Sequence, residues 1–432
     1  MTNLTFPQLS RRKALLGAVG VGLTVDFLGS RTWAAVDDDL ARKKLVVIVC
    51  RGGLDGLSLS PPVGDRNYAN LRGSIAIPSF GQAGGALRLD DTFGLHPSLA
   101  AVHALADKGE ARIAPAVATP DRERSHFEAQ DVLESGAAVV YGTASGWLNR
   151  ALETMGPPGK VKAISIGPTA PLILRGRIEA ASWSPGGGAQ HDSRLPGILQ
   201  DLYANDPLLG PALASGVMTQ AMAKVAASDG APPDPSPAAG DAMSAGAGAS
   251  GDAMLRPVLA RGLPQARKLG ATLAGFMVQP GGEQIAAVSI DGFDTHANQG
   301  AAQGQLATRL GYVDAFIDAL ASGLGPSWSD TVVVMTTEFG RTARVNGTGG
   351  TDHGTASTAL VLGGGLKKGG IIGDWPTLQQ ARLFENRDTA PTLDMRGLFK
   401  GVLRDHLGVD RAALDNTVFP GSATVAPAAN VV

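Results

Sequence analysis

The chain contains a single cysteine, Cys50. That excludes an intrachain disulfide framework and any metal site built from several thiolates. A surplus of either charge is also missing, since 37 Lys and Arg stand against 39 Asp and Glu, net −2. With no basic excess, nucleic acid is not an expected partner. No uninterrupted run reaches the roughly 18 apolar residues of a membrane span. Aromatic residues are only 5% of the chain, yet 44% is hydrophobic and 18% charged, a globular rather than disordered balance. Glycine is abundant, with 58 among 432 residues, about twice the usual share. Many tight turns, or loops that approach a ligand closely, are therefore expected.

Residues 1–35 have the layout of an export signal. Ser10-Arg11-Arg12-Lys13 precedes a modest apolar run from Ala14 to Val25, and Ala34-Ala35 offers a small-residue cleavage region. The arginine pair points to the twin-arginine translocase as the export partner. Loss of residues 1–34 would remove four basic residues and one acidic one, leaving 33 against 38, net −5. The expected product is a mildly acidic periplasmic or secreted protein, not an integral membrane protein once cleaved.

Residues 36–432 read as one α/β domain. Apolar runs of strand length occur at Lys44–Cys50, Ala111–Val117, Lys162–Gly167, Gln284–Ile290, Thr331–Thr337 and Thr358–Gly363. Helical periodicity lies between them, at about 97–109, 125–135, 145–155, 304–322 and 395–407. Strands alternating with helices predict a doubly wound, mostly parallel sheet covered on both faces. The stretch at about 227–252 is rich in Ala, Gly, Ser, Pro and Asp and reads as a surface insertion. The tail after Gly421 is also of low complexity.

Polar clusters follow the apolar runs directly. Asp55 follows the first. Asp291-Gly292-Phe293-Asp294-Thr295-His296 follows the fourth, and Glu338-Phe339-Gly340-Arg341-Thr342 the fifth. Thr351-Asp352-His353-Gly354 precedes the sixth. Open α/β sheets bind ligands beyond the carboxyl ends of their strands, so these clusters are expected at one site. Asp294 and His296, two apart, point the same way in extended backbone. A carboxylate and an imidazole side by side suit a divalent ion, as do Glu338, Asp352 and His353. The plain alternative for each is a capped turn or a solvated side chain.

Ser125-His126-Phe127-Glu128 opens a predicted helix. Ser125 and Glu128 have capping-box spacing, which is the structural reading. The functional one is a hydroxyl activated at a helix N-terminus. The glycine-rich run Gly363–Gly370 lacks the Gly-Lys-Ser/Thr ending of a phosphate loop. Cys50 ends a buried strand and reads as core.

Taken together, these motifs resemble the bacterial DUF1501 family of twin-arginine-exported proteins. The matching stretches include Val46–Gly56, Phe93–Pro97, Arg124–Gln130, Gly146–Arg150, Phe293–Gln299, Thr337–Thr342, Gly350–Gly354 and Gly373–Pro376. That family is similar to the alkaline phosphatase and sulfatase superfamily. The resemblance implies an exported hydrolase of phosphate or sulfate esters carrying one or two divalent ions, whether zinc, manganese, iron or calcium. It implies Asp55, Asp294, His296, Glu338 and His353 as ligands and Ser125 as nucleophile; beside them, Asp352 is a further candidate ligand, and Arg51 or Arg341 would stabilise negative charge. Its ligand would be an anionic ester or a glycan. Three departures stand out: Phe339 follows Glu338 where a metal histidine is expected, Asp294 and His296 are closer together than usual, and the Cys-x-Pro-x-Arg sulfatase signature is absent. They leave room for a non-catalytic glycan- or protein-binding protein on the same fold, or for polar clusters that merely cap strands and helices.

Overall fold

The computed structural model describes residues 40–156, 161–167, 171–183, 251–366 and 368–432. The predicted export signal, residues 1–35, lies outside the described residues, as does the predicted insertion as far as residue 250. Its last two residues, Gly251 and Asp252, instead begin a long helix.

The first apolar run forms β1 (Lys44–Arg51), and its residues Leu45 to Cys50 are at most 2% exposed. A strand buried on both faces belongs at the centre of a sheet. The remaining strands are β2 (Leu87–Arg88), β3 (Gly94–Leu95), β4 (Ala111–Ala118), β5 (Ala163–Ile166), β6 (Ala181–Trp183), β7 (Ile285–Asp291), β8 (Thr331–Thr336), β9 (Ser357–Leu362), β10 (Gly370–Ile371) and β11 (Leu393–Asp394). β2 and β3 pair as a separate ribbon. The main sheet runs β10-β4-β9-β8-β1-β7-β5-β6, with β11 also on β4. All of its pairings are parallel except the two made by β9, which runs antiparallel to β4 and β8. This is the doubly wound, mostly parallel sheet that the sequence predicts.

Helices cover both faces. Val46, Ile48, Val288 and Met335 pack into one core with Leu273 and Phe276 of the helix Gly251–Val278 and Leu310, Phe316 and Leu320 of the helix Gln305–Leu324. Elsewhere the helix Met395–Leu407 stacks Phe399 on Trp147 at 4.5 Å, and Phe419 joins them. The low-complexity tail is ordered against this helix, with Val431 fully buried and Ala428 donating its amide to Gly397. Among the described residues, no helix is long and apolar enough to cross a membrane.

The reversed β9 matters for function. The loop that enters it, rather than one that leaves it, sits at the carboxyl edge of the parallel strands. His353 therefore meets residues that follow β7 and β8. The centre of the sheet holds this edge in place. Ile48→Ala, which empties a fully buried position, should cost about 2–5 kcal/mol, read as a lowered denaturant midpoint.

Candidate metal centre

Four loops converge at that edge. The turn after β1 carries Gly52 and Gly53. Asp294 and His296 follow β7, Glu338 and Arg341 follow β8, and Asp352 and His353 precede β9. A fifth element, the helix His126–Ser135, starts beside them after β4.

Asp294 is the hub. Its Oδ1 lies 2.9 Å from His296 Nε2 and 3.2 Å from His353 Nε2, and its Oδ2 lies 3.5 Å from His126 Nε2. The two ring nitrogens of His296 and His353 are 3.0 Å apart. The other nitrogen of each ring is fixed from behind. His126 Nδ1 is 3.0 Å from Glu338 Oε1, His296 Nδ1 is 3.4 Å from Asp352 Oδ1, and His353 Nδ1 is 2.9 Å from the Arg124 carbonyl. A carboxylate or a carbonyl only accepts, so each neutral imidazole donates from Nδ1. In that tautomer each Nε2 turns its lone pair toward Asp294, whereas a protonated ring donates to the carboxylate from Nε2.

This arrangement suits a metal ion. A cation, or a proton on one ring, relieves the repulsion of His296 and His353 nitrogens that face each other beside a carboxylate. Histidine ligands are characteristically oriented by a carboxylate or carbonyl on the far nitrogen. A tetrahedral site with metal–ligand bonds of about 2.0–2.2 Å has ligand atoms about 3.3–3.6 Å apart; the spacings among His296, His353 and Asp294 Oδ1, 2.9–3.2 Å, are a little tighter, and His126 stands 3.5 Å from Asp294 Oδ2. The donors of His126, Asp294 and His353 all fall within 4.8 Å of one another. His296 adds a fourth donor close to two of them. Imidazole with carboxylate suits zinc, and also manganese or iron.

The charges are tuned by neighbours. Burial pushes the Asp294 carboxyl up, but the Arg341 guanidinium and then His296 and His353 bring it below its ordinary value. Burial pushes Glu338 up, but His126, the backbone amides and Thr337 hold it below the usual range. The hydrogen bond that His126 donates to Glu338 raises His126, against the effect of burial. Burial lowers His353 and keeps it neutral, the form that binds metal.

Several predicted residues take other roles. Glu338 is fully buried behind His126, its Oε1 accepting from Gly52 at 2.8 Å and Gly53 at 3.1 Å and its Oε2 from Thr337 at 2.9 Å. It holds the His126 ring in place from behind. Gly52 has φ +113°, and a Cβ there would lie 2.6 Å from the Asp294 amide, so only glycine makes this turn. Asp352, more than half exposed, likewise backs His296. Asp55 is sealed off from the cluster: its carboxylate meets Arg72, the Ser58 hydroxyl at 2.9 Å, Gln299 at 2.7 Å and the Leu57 amide at 3.1 Å. No histidine is among its partners, so Asp55 stands apart from the histidine cluster. The same Gln299 accepts from Thr295 at 2.8 Å and Thr351 at 2.9 Å, so Asp55 anchors the two histidine loops from below.

Neither arginine is free to stabilise substrate charge. Arg341, with its side chain fully buried, donates to the carbonyls of Gly52, Gly53, Phe293 and Thr351 and to Asp294. Arg51 turns to Glu134 at 2.5 Å, Gln130 at 2.7 Å and Ser289 at 3.2 Å and lines a neighbouring cleft. Ser125 does open the helix, but its hydroxyl makes no capping bond, so the expected capping box does not form.

His126 was not among the nominated ligands. The only sequence signal for it was its place beside Ser125 at a strand-to-helix turn. Phe339, at the position expected for a histidine, packs its ring 4.9 Å from His126 and 4.6 Å from His353 and walls the site. Cys50 is buried core, its thiol pushed up by burial and then by Glu338.

A model of the family "Protein of unknown function (DUF1501)" matches residues 42–418. No curated protein matches the chain. Similar solved structures include the lipoteichoic acid synthase LtaP from Listeria monocytogenes, 10% identical over 77% of this chain and 68% of that one, TM-score 0.31. Another is the periplasmic domain of EcEptC from Escherichia coli in complex with zinc, 10% identical over 88% and 86%, TM-score 0.32. A third is TAB5 alkaline phosphatase with magnesium bound, 11% identical over 76% and 94%, TM-score 0.33. Scores this low carry no argument about chemistry.

Replacing Glu338 by Gln removes the charge that raises His126. In metal-free Glu338→Gln, the His126 midpoint, followed by NMR, should move to lower pH. The raised midpoint makes protonated His126 a stabilising contribution at low pH, lost as pH rises through that midpoint. The variant should lose this contribution, read as a smaller gain in stability on acidification.

Proposed function

The chain belongs to the DUF1501 family, and we propose that it is an exported, single-metal hydrolase of phosphate or sulfate esters. The observation that carries this reading is the convergence of three Nε2 lone pairs on Asp294, with every Nδ1 held from behind. One ion rather than two follows from the positions of Asp55 and Glu338, each already satisfied by protein donors. Among the described residues, His126, Asp294 and His353 form the only group of three or more such donors at ligand spacing.

An ion held by His126, Asp294, His353 and His296 would supply Lewis acidity to an ester oxygen. The chain's own contributions are distinct. Ser125 offers a hydroxyl, free of any capping bond, at the N-terminus of the helix His126–Ser135. The positive end of that helix and its first amides favour a phosphoryl or sulfuryl group there. Since Arg51 and Arg341 are committed to protein acceptors, the developing charge falls to these amides and the ion. Phe339 excludes water from one side of the imidazoles. Arg11 and Arg12 would direct export by the twin-arginine route.

A second reading is a non-catalytic binding protein that keeps the ion for structure. Phe339 in place of a ligand favours it. Protein purified without chelators should carry about one equivalent of zinc, manganese or iron, lost in His353→Ala. Ser125→Ala should keep the metal and lose at least about 100-fold in turnover of p-nitrophenyl phosphate or p-nitrophenyl sulfate. Metal without turnover of either ester would favour the binding protein. A folded protein that refuses metal would sink the hydrolase.

A further inference from the structure

A cleft of about 460 Å³ opens beside the metal centre. It shares two elements with the centre. The helix that begins with His126 carries Gln130 and Glu134 on the same face, one and two turns further along, and both line the cleft. At 1.5 Å per residue, Gln130 lies about 6 Å along the axis from His126. The other shared element is β1, whose last residue, Arg51, lines the cleft just before the Gly52-Gly53 turn that holds Glu338.

Two large aromatic side chains stand in solvent at the rim: Phe127 is 84% exposed and Tyr141 76%. A soluble protein gains nothing in folding from such exposure. Tyr141 is also held in a left-handed conformation, φ +56°, its amide bonded to Asp131 Oδ1 at 2.6 Å. Such backbone is costly for a residue with a Cβ, and here the bond to Asp131 holds it. Around the aromatics the polar side chains of Gln130, Asp131, Ser289 and Asp291 alternate with Pro171 and Leu172.

We propose that this cleft binds a neutral saccharide ring, stacked on Tyr141 and Phe127 and hydrogen-bonded by Gln130, Asp131 and Asp291. The chemistry selects this class over others. A ring with one apolar face and many hydroxyls needs both an aromatic platform and planar acceptors. The lining sets the arginines Arg51 and Arg175 against three carboxylates, and Arg51 is paired with Glu134. An anionic group is therefore disfavoured in the cleft and belongs at the metal centre one turn away. The volume is that of a small-molecule site, whereas a protein partner needs about 800 Å² on each side. Under the hydrolase reading, the cleft would receive the sugar that carries the ester. Saccharide binding itself does not depend on that reading.

Calorimetric titration of the purified protein with cellotetraose, chitotetraose, laminaritetraose and mannotetraose tests this. It is run as purified and after chelation. At least one tetrasaccharide should bind under both conditions. Tyr141→Ala and Asp291→Ala should each weaken it by about tenfold, while Tyr141→Phe keeps the affinity. Both positions are exposed, so the variants should fold. Binding by none of the four, or binding indifferent to Tyr141→Ala, would overturn the proposal. Because chelated protein is included, loss of the metal reading would leave this result standing.

Discussion

The arrangement at the strand edge depends on one buried guanidinium. Arg341 has no exposed side-chain surface, and a charge in that position is tolerated only when its hydrogens are matched. They are matched by carbonyls from the turn after β1, the loop after β7 and the loop before β9, together with the Asp294 carboxylate. A planar fork of five donors can satisfy so many acceptors in fixed directions, and a lysine cannot. Arg341 thereby sets where Asp294 sits, and Asp294 sets where three imidazoles meet.

Around this tie the chain pairs most of its site charges internally. Arg72 neutralises Asp55, Arg51 pairs with Glu134, and Glu338 is held by two glycine amides. His126, His296, His353 and Asp294 are each 25–44% exposed, and Asp352 behind His296 is 57% exposed. The buried residues give rigidity, and the exposed ones give chemistry. Gln299 links the two layers, joining Asp55 below to Thr295 and Thr351 beside the ligands. The same economy explains why the helix His126–Ser135 serves both metal centre and cleft.

The sheet was legible because each of its central strands is a continuous apolar run, and buried parallel strands have that composition. Asp294, His296 and His353 were legible from their positions after or before those runs. The helix Gly251–Val278 was not, since Pro257, Pro264 and several glycines interrupt its pattern. Roles were harder to read than positions. Asp55, Glu338 and Arg341 have the residue types of a site, but a partner distant in sequence decides whether each faces the site or the core. Arg72 is 17 residues from Asp55, and Arg341 is 47 from Asp294. His126 was obscured by its neighbour: Ser125 and Glu128 resemble a capping box, which draws attention from the histidine between them. The reversed direction of β9, which brings His353 to the edge, has no signature in a run of six apolar-compatible residues.

The central claim is that the converging nitrogens hold an ion. Crystals grown with zinc and measured across its absorption edge test it most directly. The account predicts one anomalous peak bonded to Nε2 of His126 and His353 and to Asp294, at about 2.0–2.2 Å. A folded protein with no peak there, or with zinc bound only elsewhere, would contradict it.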